Sequence, residues 1–282
     1  MLITFSIRSG LTGFGGIGWQ VADQMPDALS RREERLLRAL AERKNRAAEG
    51  LFVAEGVRAV EDLAASPLAL RFAAATSSLG DTPRGALLLR ALAGRGVPVR
   101  EVDERTLAAL AGTEHPQGVL AVAAIPRDGL ATLRVDGEPA VVLVLDAVQD
   151  PGNFGTLVRT AEALGAAGVI ALPGTVDPWN AKSVRAAMGA SFRLPIVAVG
   201  WDEAAPWLAE RGVAVVAAVV GAGPLPSPPP RRAALVLGNE GAGVGEETLA
   251  RAALRAGIPL RGRAESLNVA AAGAILLHEL LR

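Results

Sequence analysis

Residues 140–155 read AVVLVLDAVQDPGNFG, and this stretch decides the fold. It begins with six consecutive apolar residues, a run typical of a strand that is buried on both faces of a parallel sheet. The run ends at Asp146, and a segment with helical periodicity begins near Phe154. We therefore expect an α/β fold in which parallel strands alternate with helices.

The same alternation continues to the end of the chain. Further strands are predicted at 168–172, 194–199, 213–220, 233–237 and 256–260. The predicted helices cover 154–164, 180–188, 202–210 and 268–281. The segment 221–230 is too rich in proline and glycine to form a helix or a central strand, so it is predicted to be a surface loop. We expect one domain with a mostly parallel sheet over residues 140–282.

A second composition break separates this domain from the front of the chain. Residues 127–139 contain many turn residues, which predicts a linker that lets two compact units be placed semi-independently. Residues 29–126 are predicted to form a smaller α/β domain. Its predicted helices are 29–44, 56–65, 83–93 and 104–110, and its predicted strands are 51–54, 68–75, 97–102 and 118–124. Residues 1–28 are rich in glycine and poor in charge, which predicts a flexible N-terminal extension or a misassigned start.

The composition excludes several kinds of site. The chain has no cysteine, which excludes disulfides, thiolate metal ligands and a cysteine nucleophile. Its two histidines, His115 and His278, lie far apart in sequence, so we expect no metal site. No apolar stretch approaches the ~20 residues of a membrane span, which predicts a protein without a membrane segment. The first residues fit a secretory signal poorly, so a cytoplasmic location is expected by default. Because the formal net charge is zero, any nucleic-acid-binding surface must be local.

Three loops follow predicted strands at their carboxyl ends, where ligands bind in open α/β sheets. They cover 146–155, 238–243 and 258–268; each contains glycine and asparagine, and the third also contains two arginines and a serine. Glycine lets a backbone approach a ligand closely, although each loop taken alone is also typical of an ordinary turn. Three loops at one end of a sheet favour a binding site. Their glycine spacing matches neither the dinucleotide-binding G-x-G-x-x-G nor the phosphate-binding P-loop.

Three segments resemble the signature motifs of the SpoU (TrmH-like) RNA 2′-O-ribose methyltransferases of the SPOUT superfamily. They are 150–161, 235–241 and 258–269, in the order and spacing of that family. Residues 43–56 and 117–119 resemble the substrate-binding domain that often precedes it. The resemblance implies an RNA-binding α/β domain followed by an α/β-knot domain with a deep trefoil knot. It also implies S-adenosylmethionine-dependent methylation of a ribose in structured RNA, with 23S rRNA favoured over tRNA.

The resemblance also implies roles for individual residues. The implied cofactor-binding residues, which act largely through backbone groups, are Leu237, Gly238, Ile258, Leu260, Leu267 and Asn268. The implied catalytic residues are Arg159, Asn153, Glu240, Ser266 and Asn268. Arginine stays protonated in nearly all settings, so we expect Arg159 to grip the RNA phosphate beside the target ribose. Either this phosphate or Arg159 then takes the proton of the hydroxyl. At Leu260 the family often has methionine, which is equally apolar.

A basic cluster in the front domain predicts contacts with RNA phosphates. Its members closest to the first predicted strand are Arg43, Lys44 and Arg46. A solvated helix face explains the cluster equally well. A non-catalytic RNA-binding or ribosome-assembly factor is the alternative function, although such a protein would not need Arg159 or Glu240. Another α/β enzyme with a nucleotide cofactor is a third possibility.

The last predicted helix indicates a homodimer. Its small residues allow close helix approach, and they are Ala270, Ala271, Ala272 and Ala274. The resemblance implies dimerisation through the knot region. Packing of the same alanines inside one subunit is the alternative explanation.

Overall fold

The computed structural model describes residues 27–127 and 129–282, which build two separate β-sheets. The prediction of a flexible extension at 1–28 therefore lies outside the described residues as far as 26. Its last two residues are described, and both contact Glu101. Ala28 bridges Glu101, whose backbone N–H donates to the carbonyl of Asp27 at 2.9 Å.

The front sheet has four strands in the order β1-β4-β2-β3. They are β1 (Leu51–Glu55), β2 (Leu70–Ala75), β3 (Val99–Glu101) and β4 (Val119–Ala124). Strand β4 is antiparallel to both β1 and β2, whereas β2 and β3 are parallel. The helices of this part are α1 (Arg31–Ala39), α2 (Arg43–Glu49), α3 (Val57–Ala65), α4 (Pro83–Gly94) and α5 (Glu104–Leu110).

The single helix predicted at 29–44 is two helices, α1 and α2. The guanidinium of Arg46 explains the break. Its Nη1 donates to the carbonyl oxygens of Leu40 and Ala41, at 2.7 and 2.8 Å, where α1 has ended. These carbonyls have no partner within a finished helix, so a side-chain donor satisfies them and lets the chain turn.

The second sheet has six strands in the order β10-β8-β9-β5-β6-β7, and all its pairings are parallel. The strands are β5 (Ala140–Leu145), β6 (Gly168–Ala171), β7 (Ile196–Ala198), β8 (Ala214–Ala218), β9 (Arg232–Leu237) and β10 (Leu254–Ala256). The helices are α6 (Pro151–Leu164), α7 (Ala181–Ala187), α8 (Trp201–Glu210), α9 (Glu246–Arg251) and α10 (Val269–Leu281). Short 3-10 turns occur at Ser77–Asp81, Leu130–Thr132 and Ala190–Phe192.

The expected α/β fold with a parallel sheet is confirmed. Strand β5 is buried along its whole length between β9 and β6, as its apolar run predicts. The prediction was wrong about the last strand, which ends at Ala256. Ile258 and Leu260 therefore lie in the following loop. Helix α9 was not predicted. Among the described helices, none has the length and apolar character that a membrane span needs.

The segment 127–139 does not separate two independent units. Leu133 and Val135 are buried in the core of the second domain. The two domains also share an aromatic cluster. The ring centroid of Phe52 on β1 lies 4.6 Å from the ring centroid of Trp179 and 5.8 Å from that of Phe192. Tight packing of this kind fixes relative orientation. The expected semi-independent placement is therefore corrected to one joined arrangement.

Candidate active site

The first two predicted loops leave the sheet side by side. Strands β5 and β9 are neighbours, and Leu145 pairs with Leu237 at their carboxyl ends. The next backbone N–H, that of Asp146, donates to the carbonyl of Leu237 at 2.9 Å. The loops that begin at Asp146 and Gly238 thus start at one place, as expected for the carboxyl ends of parallel strands.

Helix α10 brings the third loop to the same place, although β10 lies at the far edge of the sheet. Gly273 makes this possible, because a Cβ there would lie 2.4 Å from a methyl of Leu157 and 2.6 Å from one of Leu237. Only glycine permits such an approach. Asn268 precedes α10, and its Oδ1 accepts from the backbone N–H of Ala270 at 2.9 Å. This cap fixes where the helix begins.

A chain of hydrogen bonds connects side chains from the three loops. Asn268 Nδ2 donates to Asn153 Oδ1 at 3.0 Å, and Asn153 Nδ2 donates to Glu240 Oε1 at 3.1 Å. We call Asn153, Glu240 and Asn268 the polar triad. Each bond fixes the orientation of an amide or carboxylate at the mouth of the site. Three of the predicted catalytic residues are therefore in contact.

Glu240 holds the first loop as an ionised carboxylate. It accepts from the backbone N–H groups of Gln149 and Asp150, at 3.2 and 3.1 Å. Burial acts to raise the pKa of Glu240, but the hydrogen bonds from Asn153 and from backbone N–H groups outweigh burial and lower that pKa below its usual range. These bonds therefore stabilise the loop above the ordinary pKa of a glutamate, and this contribution disappears as the pH falls through the lowered value.

A second polar chain supports the loop between Gly238 and α9. Asp146 Oδ2 accepts from the backbone N–H of Gly245 at 2.9 Å and from the hydroxyl of Thr248 at 2.7 Å. The same hydroxyl accepts from the indole N–H of the buried Trp201 at 2.8 Å. This chain of hydrogen bonds was not predicted from the sequence. Its only signal was an aspartate directly after a buried strand.

Asn239 closes the loop on itself. Its Oδ1 accepts from the backbone N–H groups of Gly241 and Ala242, both at 3.0 Å, and its Nδ2 donates to the carbonyl of Ala147 at 2.9 Å. The loop after β9 is thus held from both sides. No role was predicted for Asn239 from the sequence.

The surroundings of Gly238 fit a ligand held by backbone groups. A Cβ on this buried residue would lie 2.2 Å from the backbone of Gly243, so two backbone segments touch there. Between residues 258 and 267, no backbone group hydrogen-bonds to another group of the described chain. Leu260 and Leu267 leave 38% and 39% of their surface exposed in this loop. Free backbone donors and acceptors beside apolar side chains suit a ligand with polar and apolar parts.

The remaining predicted site residues lie apart from the triad. Ile258 is half-buried and packs against the core of the second domain. Arg159 is exposed on α6, one turn after Gly155, and Ser266 is exposed in the third loop. Neither side chain has a hydrogen-bond partner in the part of the chain that the structure describes. The guanidinium of Arg159 is thus accessible to a phosphate from outside.

The predicted phosphate contacts divide into two kinds. Arg43 and Lys44 are exposed at the start of α2. Arg46 is only 4% exposed, and its Nε donates to a carboxylate oxygen of Asp177 in the second domain at 2.8 Å. The prediction that Arg46 binds RNA is therefore wrong, because its guanidinium is buried and occupied. No group of three or more metal-binding side chains comes together within 27–127 and 129–282.

Comparisons with known proteins identify both parts of the chain. Residues 140–278 match the SpoU rRNA Methylase family, and residues 35–121 match an MRM3-like substrate binding domain. RlmP of Bacillus subtilis (strain 168), named a 23S rRNA (guanosine(2553)-2′-O)-methyltransferase, is 41% identical over 187 residues, which cover 66% of this chain and 73% of that protein. The chain belongs to the SpoU family. The resemblance of its three motifs is confirmed.

Solved structures of SpoU-type proteins extend the similarity to both domains. An AdoMet-bound rRNA methyltransferase from Sinorhizobium meliloti superposes with a TM-score of 0.78 at 31% identity, covering 90% of this chain and 95% of that one. AviRb of Streptomyces viridochromogenes, a SpoU methyltransferase in complex with AdoMet, gives 0.79 at 27% identity, covering 89% and 97%. RlmB of Coxiella burnetii, named a 23S rRNA (guanosine-2′-O-)-methyltransferase, is 35% identical over 195 residues, which cover 66% of this chain and 78% of that protein.

Proposed function

We propose that this protein methylates the 2′-hydroxyl of a ribose in ribosomal RNA, with S-adenosylmethionine as methyl donor. The favoured substrate is 23S rRNA. The observation that carries the proposal is the polar triad, which joins all three SpoU motifs beside Gly238. The names of the relatives and the AdoMet-bound structures support it. We place the protein in the cytoplasm, where bacterial ribosomes are modified. The trefoil knot stays a prediction.

The cofactor site is assigned to the loops after β9 and β10. S-adenosylmethionine supplies an electrophilic methyl group on a sulfonium centre. The residues that would hold it are Leu237, Gly238, Ile258, Leu260, Leu267 and Asn268. The free backbone groups of 258–267 bind its polar parts, and Leu260 and Leu267 cover its apolar parts. The contact of Gly238 with Gly243 keeps the wall of the site free of a side chain.

Arg159 is assigned to the RNA. Its exposed guanidinium pairs with the phosphate beside the target ribose, because arginine presents several donors in a geometry that matches a phosphate. The phosphate, held in this way, accepts the proton of the 2′-hydroxyl as the oxygen attacks. The polar triad orients the loops beside the ribose. Ser266, whose partner is expected on the RNA, helps to orient the target ribose. Such positioning of reacting groups supplies a large share of an enzymatic rate.

The proposed function is tested in two measurements. Mapping of 2′-O-methylation across all cellular RNA, with and without this protein, is expected to show the loss of a site in 23S rRNA. Titration calorimetry with the purified protein is expected to detect binding of S-adenosylmethionine or of its demethylated product. Binding of NADH with neither of those, or an unchanged methylation map, contradicts the proposal and favours a non-catalytic factor or another nucleotide enzyme.

Exposed basic residues of α2 are proposed to contact RNA phosphates. Replacing Arg43 and Lys44 together by alanine is expected to weaken RNA binding for all sequences and to lower the salt slope of log K by about 1.5, since each phosphate contact releases about 0.7–0.9 counterions. Affinity for S-adenosylmethionine stays unchanged.

The matched control removes two charges from other helices of the same domain, at the exposed residues Arg90 and Arg105. Filter binding over a series of salt concentrations gives the slope for both double variants. Equal slopes in the wild type and the Arg43/Lys44 variant mean that the two residues form a solvated helix face.

We also propose a homodimer that forms through α10. The inner side of this helix is used within the subunit, because Ala270 is buried and Gly273 contacts Leu157. The predicted alanine face is corrected accordingly: Ala271 is exposed, and Ile275 leaves 39% of its surface exposed. Light scattering is expected to give twice the chain mass of 28.9 kDa. A monomer mass at working concentration contradicts the dimer.

A further inference from the structure

We infer that Asp177 is a positioning residue that holds the basic helix α2 at a fixed place beside the catalytic loops. Through this residue the two domains present a single RNA-binding surface of fixed geometry. The inference rests on the proposed function and deepens it, because it concerns how the enzyme places its RNA.

The ion pair between Arg46 and Asp177 crosses from one domain to the other. Nε and Nη2 of Arg46 lie 2.8 and 2.5 Å from the same oxygen of Asp177, and the two side chains expose only 5% and 13% of their surface. The remaining nitrogen of Arg46 holds the carbonyls of Leu40 and Ala41. One buried guanidinium thus fixes the end of α1, the helix α2 and the second domain at once. The exposed Arg43 and Lys44 lie less than one turn away on α2.

Asp177 also fixes the start of α7. Its other carboxylate oxygen accepts from the backbone N–H of Trp179 at 3.0 Å. Its carbonyl accepts from the N–H of Asn180 at 3.1 Å and from the hydroxyl of Ser183 at 3.2 Å. Asn180 in turn caps α7, where its Oδ1 accepts from the N–H of Lys182 at 2.8 Å. The described hydrogen bonds of Asp177 are therefore of two kinds. Some join it to Arg46 of the front domain, and the others order the first turn of α7.

Helix α7 continues the connection to the polar triad. Nζ of Lys182 lies 3.9 Å from a carboxylate oxygen of Asp150, the residue that caps α6 and donates its N–H to Glu240. A Cβ on Gly155 would lie 2.4 Å from the Cβ of Ala186, so α6 and α7 pack in direct contact. A continuous series of bonds and contacts therefore leads from α2 to the loop that contains the triad.

A second contact between the domains prevents rotation about the first. Arg185, in the last turn of α7, donates to Glu55 at the end of β1 over 3.0 Å, and this carboxylate also accepts from Gly112 and Thr113. The aromatic cluster around Phe52 lies in the same interface. A buried ion pair adds little net stability over an apolar contact of equal shape. The geometry therefore points to alignment of the domains as the role of the Arg46–Asp177 pair.

Fixed alignment makes the two RNA-contacting surfaces act together. When one surface has bound an RNA, the other meets its part of the same RNA at a high effective concentration, and that concentration falls when the joint is loosened. A loosened joint should therefore raise the KM for a long RNA that reaches both surfaces. It should leave kcat unchanged, since both surfaces are engaged at saturation. A short RNA that reaches only the catalytic loops is not affected.

The test uses the full-length variant Asp177→Asn, which keeps the shape of the side chain and removes its charge. We expect a KM about tenfold higher for a long rRNA fragment, with kcat, the KM of a short fragment and the Kd of S-adenosylmethionine unchanged. The control Glu61→Gln breaks an ion pair with Arg84 inside the front domain and should change none of these values. An equal KM for the long RNA in Asp177→Asn and the wild type overturns the inference, and so does an equal rise for both RNAs.

Two further measurements keep the result decisive. Arg46→Lys serves if Asp177→Asn does not fold. It keeps the charge but replaces the planar guanidinium, whose Nε and Nη2 face Asp177 while Nη1 faces the two carbonyls, by one compact ammonium, so it should show the same selective rise. The Kd of the long and short RNAs is measured beside the kinetics. If the wild-type protein methylates neither RNA, the proposed function fails, whereas the two Kd values still decide whether Asp177 aligns the domains.

Discussion

Arg159→Ala is expected to lower the rate of methyl transfer at least ~10²-fold, the usual effect of losing a group that acts in catalytic proton transfer. The guanidinium is exposed on α6 and free to bind a phosphate. Its loss leaves the phosphate beside the target ribose unheld, so the 2′-hydroxyl has no positioned acceptor for its proton. The loss should appear in kcat. Affinity for S-adenosylmethionine should stay unchanged, because the cofactor is assigned to the loops after β9 and β10.

Single-turnover kinetics with saturating RNA and cofactor measures this rate directly. The matched control is Arg90→Ala, which removes an equally exposed arginine from a helix of the front domain. Its rate should equal that of the wild type. Full activity of Arg159→Ala removes this residue from the mechanism. A parallel loss of cofactor binding means that Arg159 contacts the cofactor and that its assignment to the RNA is wrong.

Most strands and helices were predicted from the sequence because each depends on an apolar pattern or a capping residue within its own segment. The apolar run at Ala140–Leu145 predicted a doubly buried strand, and it is one. The helix predicted at 154–164 is α6, which begins three residues earlier because Asp150 caps it and Pro151 fits its first turn. The exceptions include helix α9, which was not predicted. The break between α1 and α2 depends on a contact with Arg46 that no local pattern records.

The candidate site was predictable only where residues lie in the motifs. Asn153, Glu240 and Asn268 were assigned together, and they form a hydrogen-bonded chain. Thr248 and Trp201 were missed, because each contributes one group to a chain that closes only in the folded protein. The catalytic roles of all five residues stay predictions. Those of Arg159 and Ser266 also lack a contact within the described chain, since their partners are expected on the RNA.

Arg46 shows how a cluster of basic residues in the sequence can mislead. By sequence it belongs to a basic cluster with Arg43 and Lys44, and nothing local distinguishes the three. Its partner, Asp177, lies 131 residues further along the chain. Burial and pairing between domains turned an expected RNA contact into part of the domain interface. The turn-rich segment at 127–139 misled for the same reason, because the contacts that join the domains lie outside it.

Gly238→Ala is expected to weaken binding of S-adenosylmethionine at least about tenfold, a change equal to about 1.4 kcal/mol. The Cβ would lie 2.2 Å from the carbonyl of Gly243 and 2.3 Å from the backbone nitrogen of Val244, so the 239–245 loop must move outward. Overpacking of this kind also lowers the free energy of unfolding by about 1–3 kcal/mol. The movement breaks the backbone hydrogen bonds between Gly243 and Asn239 and the bond from Gly245 to Asp146. It therefore changes the wall of the cofactor site.

Gly241→Ala is the matched control, because it adds the same methyl group to the same loop. Its Cβ would lie 3.7 Å from Oδ1 of Asn239, an ordinary contact, so neither cofactor affinity nor stability should fall. Calorimetry with S-adenosylmethionine and thermal unfolding of both variants separate a local effect on the site from a general loss of stability. If Gly238→Ala unfolds earlier but binds the cofactor as tightly as Gly241→Ala, the close approach at Gly238 serves packing alone, and the backbone wall assigned to the cofactor lies elsewhere in the loops.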